Sequence, residues 1–387
     1  MALRRALSPS WVALRQAAPG LTLAIGLAAL ARILAEALAH GTGGLPKFPL
    51  SPVMCAVVLG MLWRNSVGVP AWATRGLGWA MHRLLRVGIA LVGLRLTLGG
   101  ATAIAVTAVP VALCCLTVAL VAGLTISHAL AVPRRLGLLL AIGTAVCGCT
   151  AVVAVSPVIR ARHAETAFAV TCVVLFGCIA MLCYPWVAGH FLAASPVHAG
   201  IFLGTAIHDT SQVIGAALIY SQQASAPAAL AAASVAKLLR NLSIAVLVPA
   251  AAWWAQRQEA SASDLTPADG AQRGAAHQAA SDPAGTPRAR APLVPFFVLA
   301  FLGFIVLRTI GDAIFAGSAG LWPAAINTGY TASDLFLTCG MTAVGLSVSF
   351  TDMWRIGWRP LAAGFVVATL VGSCSLLLTC GLARFLT

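Results

Sequence analysis

Apolar residues dominate this chain in runs that polar residues interrupt at intervals of about 20 to 30 positions. The runs lie near 20–39, 50–67, 84–99, 103–127, 136–156, 165–189, 199–221, 229–255, 293–311, 331–350 and 359–386. At 1.5 Å of rise per residue, runs of this kind match the roughly 30 Å hydrocarbon core of a bilayer. The pattern predicts an all-α, polytopic membrane bundle of about eleven transmembrane helices. An odd number of crossings puts the two termini on opposite sides.

Composition agrees with the pattern. Hydrophobic residues make up 60% of the 387 and charged residues only 9%, with a mean hydropathy of +0.94. That leaves too little polar surface for a soluble protein. The 24 Lys+Arg exceed the 10 Asp+Glu, but they are scattered singly between apolar runs, so they report topology and imply no nucleic-acid partner. All 11 cysteines fall inside apolar segments, and most read as small buried hydrophobes. No cysteine cluster has the spacing of a metal site, and no cofactor is expected.

With residues 1–19 on the cytoplasmic side, Arg4, Arg5, Arg15, Arg64, Arg75, Arg83, Arg86, Arg134, Arg135, Arg257, Arg273, Arg288, Arg290, Arg355 and Arg359 fall inside. Only Lys47, Arg160, Arg162 and Arg384 fall outside. This bias predicts a cytoplasmic N-terminus and a periplasmic C-terminus. The pair Arg160 and Arg162 dissents. The first apolar run is too long for the core of a signal peptide and reads as a first membrane helix. Residues 256–292, rich in Ala, Ser, Asp, Gln, Gly and Pro, read as a flexible cytoplasmic loop between eight helices (20–255) and three (293–387), within one integral membrane domain. The segment 70–83, with Trp72, Trp79, Arg75 and Arg83, has the makings of an interfacial stretch. Ala90–Leu98 is weakly repeated as Thr342–Phe350, on helices of opposite direction, as an inverted repeat requires.

Polar residues inside the apolar runs carry the chemistry. Gly204-Thr205-Ala206-Ile207-His208-Asp209-Thr210-Ser211-Gln212 lies in the seventh run. Strongly polar groups at that depth cost roughly 2.5–3.5 kcal/mol each and are retained where they line a cavity, bind a solute or move a proton; the alternative is hydrogen-bonded glue between helices. In the fifth run, Gly143-Thr144-Ala145-Val146-Cys147-Gly148-Cys149-Thr150 places two glycines five residues apart and permits unwinding, which would aim a half-helix N-terminus at an anion. Lys237, Arg240 and Asn241 share one face of the eighth helix. Arg32 and Glu36 are spaced to pair, and Arg95 and Arg308 are placed to snorkel to the interface. Embedded bases Arg32, Arg95, Lys237, Arg240 and Arg308 outnumber the embedded acids Glu36 and Asp209, a balance suited to an anion.

The ordered motifs Gly143–Gly148, Tyr184-Pro185, Gly204–Val213 and Lys237–Arg240 resemble those of the YeiH family, bacterial inner-membrane proteins described as sulfate exporters. The resemblance covers residues 20–386 apart from 256–292. Cys149-Thr150 and Gly177 depart from it. It implies kinship with the cation/proton antiporter and bile-acid symporter group, hence two inverted five-helix repeats with broken, crossing helices. The fifth and tenth helices would cross at the centre, with Gly340 and Gly345 as break points in the tenth.

The expectation is a secondary transporter of a small anion, sulfate or a related sulfur oxyanion, and not an enzyme. Gly143, Gly148 and Gly204 would let helices unwind. Thr144, Cys147, Thr150, Thr205, Thr210, Ser211, Gln212 and Asn241 would line the solute site, Lys237 and Arg240 would balance its charge, and His208 or Asp209 would couple H+ or Na+. The partners are the lipid bilayer and the solute; a homodimer is compatible with the reading. Rival readings are a cation/proton antiporter with Asp209 as ligand, a thiol redox protein using Cys147 and Cys149, and a scaffold that transports nothing.

Overall fold

The structure, a computed structural model, describes residues 2–40, 51–251, 253, 296–315, 320–349, 351 and 358–386. Every regular element among them is helical: α1 Ala2–His40, α2 Pro52–Ser66, α3 Thr74–Trp79, α4 Leu85–Val92, α5 Leu98–Ala129, α6 Arg134–Ala145, α7 Cys149–Val155, α8 His163–Phe191, α9 Pro196–Ala206, α10 Thr210–Gln223, α11 Pro227–Leu242, α12 Phe296–Ile314, α13 Leu321–Ser347 and α14 Trp358–Leu386. A π-helical turn, Ala80–Leu84, joins α3 to α4, and a 3-10 turn, Gly93–Arg95, ends α4. Seven stretches among the described residues are long and apolar enough to cross a membrane: Gln16–Leu38, Ala71–Arg95, Leu98–Ala129, Ala164–Phe191, Pro227–Ala251, Phe297–Ile314 and Trp358–Arg384. The first helix begins at Ala2, so the expected N-terminal segment is continuous with it. The polar stretch 256–292 lies outside the described residues.

Two predicted single helices are instead helical hairpins. α6 and α7 are separated by Val146-Cys147-Gly148, and the Arg135 guanidinium near the start of α6 donates to the Arg160 carbonyl just past α7, at 2.8 Å. Twenty-five residues of continuous helix would hold those groups about 38 Å apart, so the chain has folded back. At the tip, a Cβ on Gly143 would lie 2.7 Å from a Val152 methyl. α9 and α10 form the second hairpin. Gly200 packs on Ala229 and Ala232, and Gly204 on Ala233 and Ala236, so α9 and α11 run in parallel; α10 must therefore carry the chain back between them. The small side chains of α9 and α11 permit this close approach, as in other membrane helix pairs.

The hairpins point at each other. α6 starts beside the end of α5, which spans about 48 Å with its 32 residues. α8 then carries the chain to the opposite side, where α9 begins. Both tips meet the middle of α8: Gly143 faces Val173, and the Gln212 carboxamide donates from Nε2 to the Val174 carbonyl at 2.9 Å. Gly177 is required there, because a side chain would occupy the position of the Gln212 carboxamide oxygen.

The helices pack as two groups. α1–α4, α12 and α13 form one, while α5–α11 and α14 form the other, with sparser contact between the groups than within them. The described parts of the sequence-related segments that lie in the first group, 90–97 and 342–349, behave alike. Each ends a helix, with Leu96 N–H donating to Gly93 at 3.1 Å and Val348 N–H to Gly345 at 3.2 Å. Each glycine also admits a neighbouring backbone carbonyl, that of Phe301 or Val57. α13 nevertheless runs unbroken through Gly340 and Gly345. The element that meets the α6/α7 break is α9/α10 and not the tenth predicted helix, which corrects the crossing expected from the resemblance.

Candidate functional site

At the junction of the hairpins four helix ends converge, two with exposed carbonyls and two with exposed amides. Each carbonyl end of a helix carries about half a negative charge and each amide end about half a positive one. The carbonyl ends belong to α6 and α9, and both are held by α11. Lys237 Nζ donates to Val146 O at 2.8 Å, to Ile207 O at 3.0 Å and to His208 O. Arg240 donates through Nε to Ala145 O at 2.6 Å, and through its two terminal nitrogens to Thr144 O and Thr205 O. Both side chains are essentially inaccessible, at 0% and 1% exposure. Three positions apart on α11, they face the same way, and every hydrogen bond they make is to backbone at the breaks. These bases are clamps on helix ends.

The amide ends, of α7 and α10, face the other way, onto a cavity of about 460 Å3. Asp209 caps α10: its Oδ1 accepts from Ser211 N–H at 2.9 Å and from the Ser211 hydroxyl. The α7 end has no side-chain cap. There Gly148 adopts φ +66°, which a glycine takes without strain, and its missing Cβ leaves room for Asp209, whose Cα would lie 3.1 Å from it. The first helical group closes the cavity with Met81, His82, Leu85, Arg86, Ile89, Phe297 and, at and just past the end of α13, Val344, Ser347, Val348 and Ser349.

Among the residues singled out by sequence, Thr150, Asp209, Thr210, Ser211 and Gln212 lie on the cavity wall. The others are adjacent but turned elsewhere. Gly143 and Gly148 shape the first tip and Gly204 the α9–α11 contact. Thr144 and Cys147 are buried in the first tip. Thr205 is fully buried, its hydroxyl bonded to Ile201 O and Ser375 Oγ, both at 2.7 Å. Asn241 donates to Thr210 Oγ1 at 3.2 Å and thereby orients a wall residue. His208 is 2% exposed, and both of its ring nitrogens are buried without a hydrogen-bond partner.

Two electrostatic expectations change. Arg95 and Arg308 do not snorkel: Arg95 pairs with Asp334 at 2.7 Å, and Arg308 with Asp312 at 2.6 Å while donating to Tyr330 Oη at 2.7 Å. The surplus of embedded bases is therefore smaller than a count without Asp312 and Asp334 implies. Arg32 and Glu36 do pair, at 3.1 Å, on an exposed surface. Cys149, singled out only for the thiol redox reading, also lies on the wall; sequence reasoning missed His82 and Arg86, whose spacing of four was a signal, and Thr171, Ser347 and Ser349.

The profile "Conserved hypothetical protein 698" matches residues 19–364. A UPF0324 membrane protein of Ralstonia nicotianae is 32% identical over 339 residues, covering 85% of each chain. The chain belongs to the UPF0324 family. A UPF0324 membrane protein of Bacillus cereus is 29% identical over 358 residues, covering 90% of this chain and 88% of its own. One of Corynebacterium glutamicum is 28% identical over 366 residues, covering 94% and 92%. No solved structure matches this UPF0324 chain.

Proposed function

We propose that this UPF0324 protein is a secondary transporter that carries a small anion across the bacterial inner membrane by alternating access, with its solute site in the cavity between the two helical groups. The observation that carries the reading is the separation of charge at the hairpin junction. The carbonyl ends are neutralised by Lys237 and Arg240, whereas both amide ends, of uncapped α7 and of Asp209-capped α10, open onto the cavity beside Thr150 and Thr210. A helix N-terminus lined by hydroxyls favours an anion. The thin contact between the groups, with the cavity between them, supports access that alternates as one group moves against the other.

The first hairpin supports the orientation expected from the charge bias. Because α6/α7 returns to its starting side, Arg160 and Arg162 join Arg134 and Arg135 there, and the dissent from the positive-inside rule disappears. That side is then cytoplasmic, and both hairpins are re-entrant. The cavity takes its walls from the first half of α8, the start of α12 and the end of α13, all nearer that side, so this conformation faces inward. The matched ends of α4 and α13 support a partial inverted relation in the first group.

Asp209 on the cavity wall favours one second reading, cation/proton antiport. Radiolabelled sulfate uptake into proteoliposomes, with and without a pH gradient, tests the first. Gradient-dependent uptake lost in Asp209→Asn supports a proton-coupled anion carrier. Sodium-dependent proton flux without sulfate uptake would replace it with the antiporter.

A further inference from the structure

The bases first expected to meet an anion, Lys237 and Arg240, are fully engaged by backbone carbonyls. The cavity wall holds two other formally charged side chains, Arg86 and Asp209, and one histidine, His82. Asp209 is engaged in capping α10 through one oxygen. Arg86 is exposed to the cavity and, among the described residues, makes no hydrogen bond or ion pair; its one specific neighbour is the Phe297 ring, whose centroid lies 6.0 Å from the guanidinium carbon.

Local structure explains how an arginine reaches this place. The π turn Ala80–Leu84 widens the helix by one residue and rotates the residues after it by about 100° relative to α3. Met81, His82, Leu85, Arg86 and Ile89 then form one stripe facing the cavity. Opposite this stripe, on the other helical group, stand Thr150, Thr210 and Ser211. An uncommitted guanidinium on one wall thus faces the Thr150 and Thr210 hydroxyls and the Asp209-capped start of α10 on the other.

We propose that Arg86 is the charge-selecting residue of the site, binding one edge of a small oxyanion while Thr150 and Thr210 hold another. This rests on the reading of the cavity as an anion site. A planar guanidinium donates two parallel hydrogen bonds to an oxyanion edge, which an ammonium does not. The solute class is a compact oxyanion with at least two acceptor edges, such as sulfate, sulfite or a sulfonate. The solute bridges the two helical groups, so its charge is read on the first and its shape on the second.

The test uses the full-length protein carrying Ser347→Cys, an exposed wall position whose hydroxyl bonds only its own helix, at Val344 O. Modification of residue 347 by a sulfonate-bearing and by a trimethylammonium-bearing methanethiosulfonate is followed by peptide mass spectrometry, which separates it from the native cysteines. The expected anion-to-cation rate ratio falls about tenfold in Arg86→Gln and in Arg86→Met, and Arg86→Lys retains it. Sulfate uptake falls in both neutral variants, and Arg86→Lys recovers it only in part. An unchanged ratio in whichever neutral variant is monodisperse overturns the role of Arg86. A lost ratio with no sulfate uptake by any protein, parent included, keeps Arg86 as the source of the field and removes sulfate as the cargo.

Discussion

The two hairpins open on nearly the same words, Gly143-Thr144-Ala145 and Gly204-Thr205-Ala206, and then solve the same problem differently. Each exposes carbonyls at the end of its first helix and amides at the start of its second. The carbonyls share one solution, α11. The amides do not: α10 is capped by the Asp209 carboxylate, whereas α7 starts after Gly148 at φ +66° with no side-chain cap. The second tip brings its own anion; the first leaves its amide end to the cavity. Unequal capping of two otherwise similar tips gives the junction a direction.

Variants at the shared clamp should have the largest effect. Arg240→Met leaves carbonyls of both tips without donors, and loss of one partner from such a buried set costs about 3–5 kcal/mol. The expected result is failure to recover monodisperse protein, and normal thermal stability in detergent would show that the tips do not depend on the clamp. Gly148→Ala comes next, at about 1–3 kcal/mol, since it places a methyl against Asp209 at a backbone angle that alanine resists. Asp209→Ala should cost about 1 kcal/mol, the usual value of an N-cap. If thermal melts put the alanine at 209 below that at 148, the order of the two tips is inverted. Asp209→Asn keeps a capping oxygen and should melt within about 0.5 kcal/mol of the parent while losing any dependence of transport on a pH gradient; undiminished gradient dependence would take Asp209 out of the coupling. Arg32→Ala, far from either tip and part of an exposed pair, should change stability by no more than about 0.5 kcal/mol.

Much of this was legible in the chain. Apolar run lengths located the helices, and the twin Gly-Thr-Ala openings located both breaks. The reversal at the breaks was not legible, because residues 136–156 and 199–221 are each as long and apolar as a span. The one trace was Arg160 and Arg162, which fell on the wrong side of a straight helix and fall on the right side of a hairpin. The spacing of Lys237 and Arg240 correctly gave a shared face but not its target. A buried base in a sequence invites an acid or a solute as partner, and backbone carbonyls, present at every residue, leave no mark. Arg95 and Asp334 lie 239 residues apart and could not be paired by eye, whereas Arg308 and Asp312 stand at helical spacing and could have been.

The clamp also orders events during synthesis. The donors that secure the first tip come 91 to 96 residues after the carbonyls they hold. Once the chain turns at Gly148, α6 and α7 have 12 and 7 residues, so neither spans the bilayer and neither is long enough to be a stable helix alone. The hydrogen bonds that clamp the first tip therefore cannot be complete until α8 to α10 and the clamp itself have been translated. A chain truncated before residue 237 lacks every donor of the clamp, and limited proteolysis of it should cut within residues 134–162, which the full-length protein protects.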